Sequence, residues 1–342
     1  MLQKSSWLQK SSRHRHIVAA LMLSGLSIFT VQAQADYSQH PAANDFINEM
    51  VNKHKFSRDE IVAVLKSAER QDKILELIAR PAEKAKPWKD YRKIFIDEQR
   101  VADAVAFYQQ HKAVFTRAEQ TYGVPPEIVL AILGVETKFG RHMGKYRVVD
   151  SLATLGFDYP KRSPFFLKEL REYLLMARED GFNPLELTGS YAGAMGYGQF
   201  MPSSYRAYAV DFSGDGVPDI FKNPEDAIGS IANYFAKHGW QTGEPVATLA
   251  NVSDTTDRAV LGKYSGRSRK PDMTLAELMK VGYDTDAKWS KATKAFPIAV
   301  EADSGEEVWL ATTNFYVITR YNASYLYAMA VNELSERVKA KI

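Results

Sequence analysis

The stretch PPEIVLAILGVETKFG, residues 125–140, places a carboxylate, Glu136, at the end of an apolar run. Its proline pair suits a helix start, and Gly140 suits a stop. Val129, Ile132 and Leu133 precede Glu136 at helical spacing, so all four share one side of the helix. The carboxylate then sits among hydrocarbon groups rather than on the wet face. Ionised and unpaired there, it is costly, and its pKa rises. Two readings are open. Lys138, Arg141 or a backbone amide pairs with Glu136 as part of the structure, or Glu136 is a general acid held protonated near neutral pH.

The chain has 342 residues, 45% hydrophobic and 12% aromatic, which is ample for a globular core. Residues 1–35 read as a secretory signal outside that core. Lys4, Lys10, Arg13 and Arg15 precede an apolar run from Ile17 to Val31, and Ala33-Gln34-Ala35 offers small residues for cleavage after Ala35. The run is shorter than a membrane span requires, so an uncleaved anchor is the weaker reading. Cleavage removes four basic and no acidic residues, leaving 40 basic against 41 acidic side chains. Nothing in that balance suggests nucleic acid as a partner. There is no cysteine, so neither a disulfide nor a lipid-modified cysteine is available. The expectation is a soluble exported protein, periplasmic where the host has an outer membrane, with no membrane anchor.

From Asn44 to about Tyr122 the pattern is helical. Ser57 with Glu60 three residues on has the form of a capping box. Residues 88–123 read as a long amphipathic segment that Gly123 stops. From about Gln241 to Gly305 the composition turns to Gly, Thr, Ser and Asp, with one helix expected at TLAELMKVG behind Thr274 and Glu277. Phe296, Ile298 and Val300, then an Asp303-Ser304-Gly305 turn, then Val308 and Leu310, predict a hairpin. An aromatic helical segment, NFYVITRYNASYLYAMAVNELSERV, closes the chain.

Two further stretches carry chemistry. GSYAGAMGYGQFMPSSYRAYAVDF interleaves Gly189, Gly193, Gly196 and Gly198 with Tyr191, Tyr197, Phe200 and Tyr205. Glycines let a ligand approach the backbone, and aromatic rings with polar ends suit a sugar chain. A tightly packed turn with core tyrosines is the competing reading. In DFSGDGVPDIFKNPEDA, Asp211, Ser213 and Asp215 stand at alternate positions before Gly216, as a calcium loop begins. The twelfth position is Lys222 rather than glutamate, so Glu225 or Asp226 must close the site if a metal binds. Two carboxylates usually flank a hydrolysed glycosidic bond, and Asp150 and Asp158 are the nearest acids downstream of Glu136.

Together, PPEIVLAILGVETKFGRHMGKYRVVDSLATLGFDYPKR, GSYAGAMGYGQFMPSSYRAYAVDFSGDG and NFYVITRYNASYLYAMAV closely resemble the lytic transglycosylase B family, exported bacterial enzymes that cleave peptidoglycan glycan strands. The resemblance runs in order from about Asp45 to the C-terminus. It implies a mainly α (α+β) fold: a helical N-terminal domain over residues 36–122, a lysozyme-like catalytic core over 123–240 plus 306–342, and a small β-containing subdomain over 241–305.

The resemblance makes Glu136 the catalytic acid. Glu136 would protonate the oxygen between N-acetylmuramic acid and N-acetylglucosamine, then take a proton from the muramyl C6 hydroxyl as that oxygen attacks C1. The product is a 1,6-anhydromuramyl end, made without water and with no cofactor. Ser190, Gln199 and Tyr197 are implied sugar contacts in the glycine–aromatic block, and Tyr321, Asn322 and Tyr327 line the cleft from the C-terminal block. Lys161 and Arg162 match a basic pair near the peptide-bearing end, where the family more often has two arginines; Tyr91 matches a cleft-facing tyrosine. A structural calcium would be held by Asp211, Ser213, Asp215, the carbonyl of Val217 and Asp226, with Glu225 the alternative closing ligand. The implied partner is the peptidoglycan strand, with other cell-wall enzymes a further possibility. Two other readings remain: a muramidase using water and a second acid, and a non-catalytic peptidoglycan-binding protein.

Overall fold

Proline, glycine and short polar caps decide where the helices begin and end. The computed structural model describes residues 36–79, 86–264 and 269–342; the signal sequence read at residues 1–35 lies outside them. Six helices come first: α1 (Ala43–Asn52), α2 (Arg58–Ser67), α3 (Asp72–Ala79), α4 (Trp88–Phe95), α5 (Glu98–Gln110) and α6 (Lys112–Tyr122). Ser57 caps α2 by accepting the Glu60 N–H. The amphipathic segment 88–123 is three helices rather than one. Asp97 interrupts it by capping α5 through the Arg100 N–H at 2.8 Å, and His111 breaks it again before Gly123 stops it in the left-handed region.

Helix α7 (Pro126–Thr137) starts on Pro126, and residues 126–134 are all buried. A helix apolar on every side needs neighbours on every side. Here α5, α6, α11 (Pro224–Lys237) and α15 (Tyr325–Lys339) surround it. Truncating Leu133, which is fully buried, to alanine costs about 2–5 kcal/mol on this account. The helix stops earlier than Gly140: Lys138 and Phe139 already have φ of +49° and +60°. The Phe139 N–H returns to the Leu133 carbonyl at 3.0 Å, which satisfies a terminal carbonyl and turns the chain.

Helices α8 (Val148–Asp158) and α9 (Ser163–Glu179) pack as a pair, with α3 against α8. Strands β1 (Tyr146–Arg147) and β2 (Thr188–Gly189) pair antiparallel on either side of them. Helix α10 (Pro202–Tyr208) lies between α9 and α11. The second sheet joins β3 (Ala247–Leu249), β4 (Met273–Thr274), β5 (Lys294–Ala302) and β6 (Gly305–Thr312) in the order β3-β6-β5-β4, each pair antiparallel. The expected hairpin is β5–β6, with Ala302 opposite Gly305. It runs on to Thr312, past the boundary read at residue 305. Thr274 and Glu277 form a reciprocal capping box on α13 (Leu275–Lys280), and α12 (Arg258–Tyr264) is an additional helix there. Buried Leu275, Leu278, Tyr283, Val308 and Leu310 give this region a small core of its own. Helix α14 (Thr313–Tyr321) leads from β6 into α15. Among the described residues no helix is long and apolar enough to cross a membrane.

Candidate active site and candidate metal loop

Glu136 is the penultimate residue of α7 and is partly exposed, with protein packed around its carboxylate. The Tyr327 hydroxyl, on α15, donates to Glu136 Oε1 at 2.6 Å. Burial pushes the Glu136 carboxyl up to about 7, against the opposing pull of that hydrogen bond. Near neutral pH it can therefore both hold and release a proton. Neither basic residue considered from sequence pairs with it. Arg141 reaches Asp103 at 2.5 Å, and Lys138 is exposed, with no ion pair to Glu136. Burial, followed by the charge of Glu136, raises the hydroxyl pKa values of Tyr91, Tyr321 and Tyr327, so all three are neutral donors beside the acid.

Tyr321 and Tyr327 sit on either side of the short turn between α14 and α15, which is why both converge on Glu136. The Tyr321 hydroxyl donates to the Gly198 carbonyl, and its ring stacks on Phe235 at 5.7 Å. Gly198 has no spare room: a Cβ there would lie 2.8 Å from the Tyr321 hydroxyl. The glycine–aromatic block is thus docked onto the C-terminal helices. Its loop is closed by reciprocal backbone hydrogen bonds between Met195 and Phe200, both at 2.9 Å. Gln199 takes a φ of +52°, uncommon for a residue with a Cβ. Its side-chain amide holds that shape by donating to the carbonyls of Gly196 and Met143 at 3.0 and 3.1 Å. The Ser190 hydroxyl accepts the N–H groups of Ala192 and Ala194 at 3.3 and 3.0 Å, folding the turn that carries it. The half-buried Tyr197 ring lies over Gly140, where a Cβ would come within 2.2 Å of it.

Sequence reasoning passed over Thr137. Its hydroxyl donates to the Tyr197 carbonyl at 2.9 Å and accepts the Gly140 N–H at 2.9 Å, so the residue after Glu136 fastens α7 to the glycine–aromatic block. The available signal was a hydroxyl residue at a helix end. Asn322 is exposed and caps the turn after α14, accepting the Ser324 N–H at 3.2 Å. Lys161 and Arg162 are exposed before α9, with Arg162 over the Phe165 and Phe166 rings at 4.5 and 5.1 Å. None of these three contacts the Glu136 group directly. Asp150 is buried against Arg147 through two 2.8 Å contacts and the Glu69 N–H at 2.9 Å. Asp158 takes the Tyr37 hydroxyl at 2.7 Å and Arg70 at 3.1 Å. Both acids fasten the N-terminal helical segment to α8.

In the acidic loop, oxygen atoms of Asp211, Asp215 and Asp226 lie within 4.8 Å of one another. Asp226 is fully buried at the start of α11 and accepts N–H groups from Phe212, Ser213 and Asp219. Burial raises its pKa in spite of those bonds. Asp211 is held below the usual carboxylate range, chiefly by the Gly216 N–H. Glu225 stands aside from the cluster, paired with Arg117 at 3.1 Å. Three convergent carboxylates are a hard-oxygen donor set that a divalent cation such as calcium fits.

The model of the transglycosylase SLT domain family matches residues 38–336. A curated relative, the membrane-bound lytic murein transglycosylase B of Escherichia coli strain K12, is 44% identical over 319 residues, covering 90% of this chain and 85% of its own length. The solved soluble lytic transglycosylase SltB1 of Pseudomonas aeruginosa superposes with a TM-score of 0.83 at 48% identity, over 88% of this chain and 99% of that one. The Escherichia coli lytic transglycosylase Slt35, solved in complex with calcium, gives 0.81 at 43% identity, over 90% and 95%. SltB3 of Pseudomonas aeruginosa, solved with NAG-anhNAM-pentapeptide, gives 0.77 at 28% identity, over 86% and 78%. The mainly α, lysozyme-like fold expected from sequence is borne out by these neighbours.

Proposed function

The chain belongs to the transglycosylase SLT domain family, and from that premise we propose that it is a lytic murein transglycosylase whose one reacting carboxylate is Glu136. The observation that carries this reading is a single partly exposed acid, with a pKa of about 7, ringed by neutral tyrosines. Protonated Glu136 delivers its proton to the glycosidic oxygen as the bond to the muramyl C1 breaks. The carboxylate then accepts the C6 hydroxyl proton while that oxygen closes on C1, giving a 1,6-anhydro end and restoring the acid. An intramolecular nucleophile has the advantage of proximity and needs no base to activate water. Tyr327 steadies the carboxylate in its charged phase and limits how far burial raises its pKa.

Ser190, Gln199, Tyr197, Tyr321, Tyr327 and Tyr91 form the sugar-binding wall, with Asn322 at its rim and Lys161 and Arg162 toward a peptide. Water as the nucleophile would call for a second acid, and the two candidates, Asp150 and Asp158, are engaged by Arg147 and Arg70. That supports the intramolecular route over hydrolysis, and the intact acid disfavours a purely binding role. The peptidoglycan strand is the substrate partner.

Calcium, when bound, neutralises the acidic loop and has no part in the chemistry; Asp211, Ser213, Asp215, the Val217 carbonyl and Asp226 would hold it. The protein is exported on residues 1–35, cleaved after Ala35, and acts in the periplasm. Its helical segment 36–122, core 123–240 plus 313–342, and inserted segment 241–312, lengthened past residue 305 by the β5–β6 hairpin, act as three parts of one enzyme.

Borohydride reduction of peptidoglycan digested by the protein tests the reading. Muramyl ends that resist reduction support it; reducible ends would favour hydrolysis.

A further inference from the structure

A cavity of about 170 Å³ opens between the first turn of α5 and the loop after α7. Arg100, Lys138, Arg141 and His142 line it, together with Asp97 and Asp103. Arg100 is only 5% exposed, and its Nε and Nη1 have no hydrogen-bond partner among the described residues. Leaving two nitrogens of a buried guanidinium without hydrogen bonds is costly, because their hydration is lost and nothing replaces it. The two acids do not make up the deficit. Asp97 uses one oxygen to cap α5, and the other stands 4.0 Å from Arg100 Nε. Asp103 is taken by Arg141. The Phe95 ring, 5.6 Å from the guanidinium carbon, adds little compensation. Burial also lowers the Arg100 pKa, as expected for an incompletely paired cation.

We infer that this cavity binds a small oxyanion, held by Arg100 with help from Lys138 and Arg141. Carboxylates and phosphates suit guanidinium donors, and the N-terminal end of α5 favours negative charge, although the C-terminal end of α7 opposes it. The anion has two possible sources: a free inorganic phosphate, or the carboxylate of a peptide borne by the glycan strand. The second source rests on the proposed function. Lys138 is two residues past Glu136, so a peptide anchored here would tie the strand to the end of the catalytic helix.

The full chain, labelled with ¹⁵N on arginine, is titrated separately with sodium phosphate and with an N-acetylated pentapeptide. The Nε–H resonances are followed, and Arg100→Lys identifies the relevant peak. The expected result is a saturable shift of the Arg100 resonance that weakens about tenfold, or ~1.4 kcal/mol, in Arg141→Gln. Tighter binding of the pentapeptide identifies the carboxylate source, and tighter binding of phosphate identifies the free anion. If Arg100→Lys does not fold, a phosphate-dependent rise in melting temperature that is lost in Lys138→Asn and Arg141→Gln carries the same test at exposed positions. No saturable shift with either probe, or shifts unchanged in both surface variants, would overturn the inference. The titration reads binding and not turnover, so Glu136→Gln protein must give the same shifts even if the proposed reaction is wrong.

Discussion

Tyr327 donates its hydroxyl to Glu136 at 2.6 Å from 191 residues further along the chain. That contact joins the terminal helix α15 to the C-terminal end of α7, where the chain turns toward the glycine–aromatic block. It also places a neutral donor against the carboxylate proposed to react.

Replacing that carboxylate should stop the chemistry and spare the fold. Glu136→Gln keeps the shape and loses the proton, so muropeptide release should fall by about 10²–10⁴-fold or more. Circular dichroism should show an unchanged fold, and pull-down on insoluble peptidoglycan should show retained binding. A variant with near wild-type release would remove Glu136 from its role.

The same substitution should have a pH-dependent effect on stability. The Glu136 pKa is raised from 4.5 to about 7 on folding, so between those values the native state binds more protons than the unfolded one. Stability from this group is therefore complete below about pH 4.5 and declines as pH rises through 7. Glu136→Gln should melt higher than wild type by an amount equivalent to about 1–3 kcal/mol at pH 8, discounted for the partial exposure, and show little difference at pH 4. An equal difference at both pH values would contradict the raised pKa.

Tyr327→Phe removes the hydrogen bond that favours the carboxylate, so the Glu136 pKa should rise further. In the proposed reaction bond cleavage needs the protonated acid, so the alkaline limb of the rate profile should shift to higher pH. The maximal rate should fall, because the carboxylate loses its positioning donor. An alkaline limb that stays in place or moves lower would contradict this role for Tyr327.

Calcium should stabilise protein first treated with chelator. At a hundredfold excess over its dissociation constant the gain is about 2.7 kcal/mol, read as a rise in melting temperature. Asp215→Ala should abolish the rise, while Glu225→Ala should leave it, since Glu225 is paired with Arg117 outside the cluster. Loss of the effect in Glu225→Ala alone would reassign the closing ligand.

Much of this site was legible because local rules and tertiary structure agree. The proline start of α7, the apolar spacing before Glu136 and the Asp211–Asp215 loop all express constraints within a dozen residues. The helix ends were less legible. Lys138 and Phe139 turn the chain before Gly140 because the Phe139 N–H closes on Leu133, a geometry that no residue type there announces. The break at Asp97 could be read from its capping side chain; the break at His111 carried no such signal. Spacing along the chain gave no view of what Asp158 faces, because its partners Arg70 and Tyr37 lie on distant segments; for Asp150 it offered only Arg147, three residues before it, and not the Glu69 N–H. Arg100 was invisible for the same reason. Its burial against α7 follows from packing, and it lies on a helix that looks ordinarily amphipathic.

The central claim is that Glu136 directs an intramolecular attack and no water enters the product. Peptidoglycan digested in water enriched in ¹⁸O, with the released muropeptides weighed by mass spectrometry, tests it most directly. The expected products carry no ¹⁸O at the muramyl C1 and are lighter by one water than their hydrolytic counterparts. Muramyl ends that have gained one ¹⁸O would contradict the claim and make the enzyme a hydrolase.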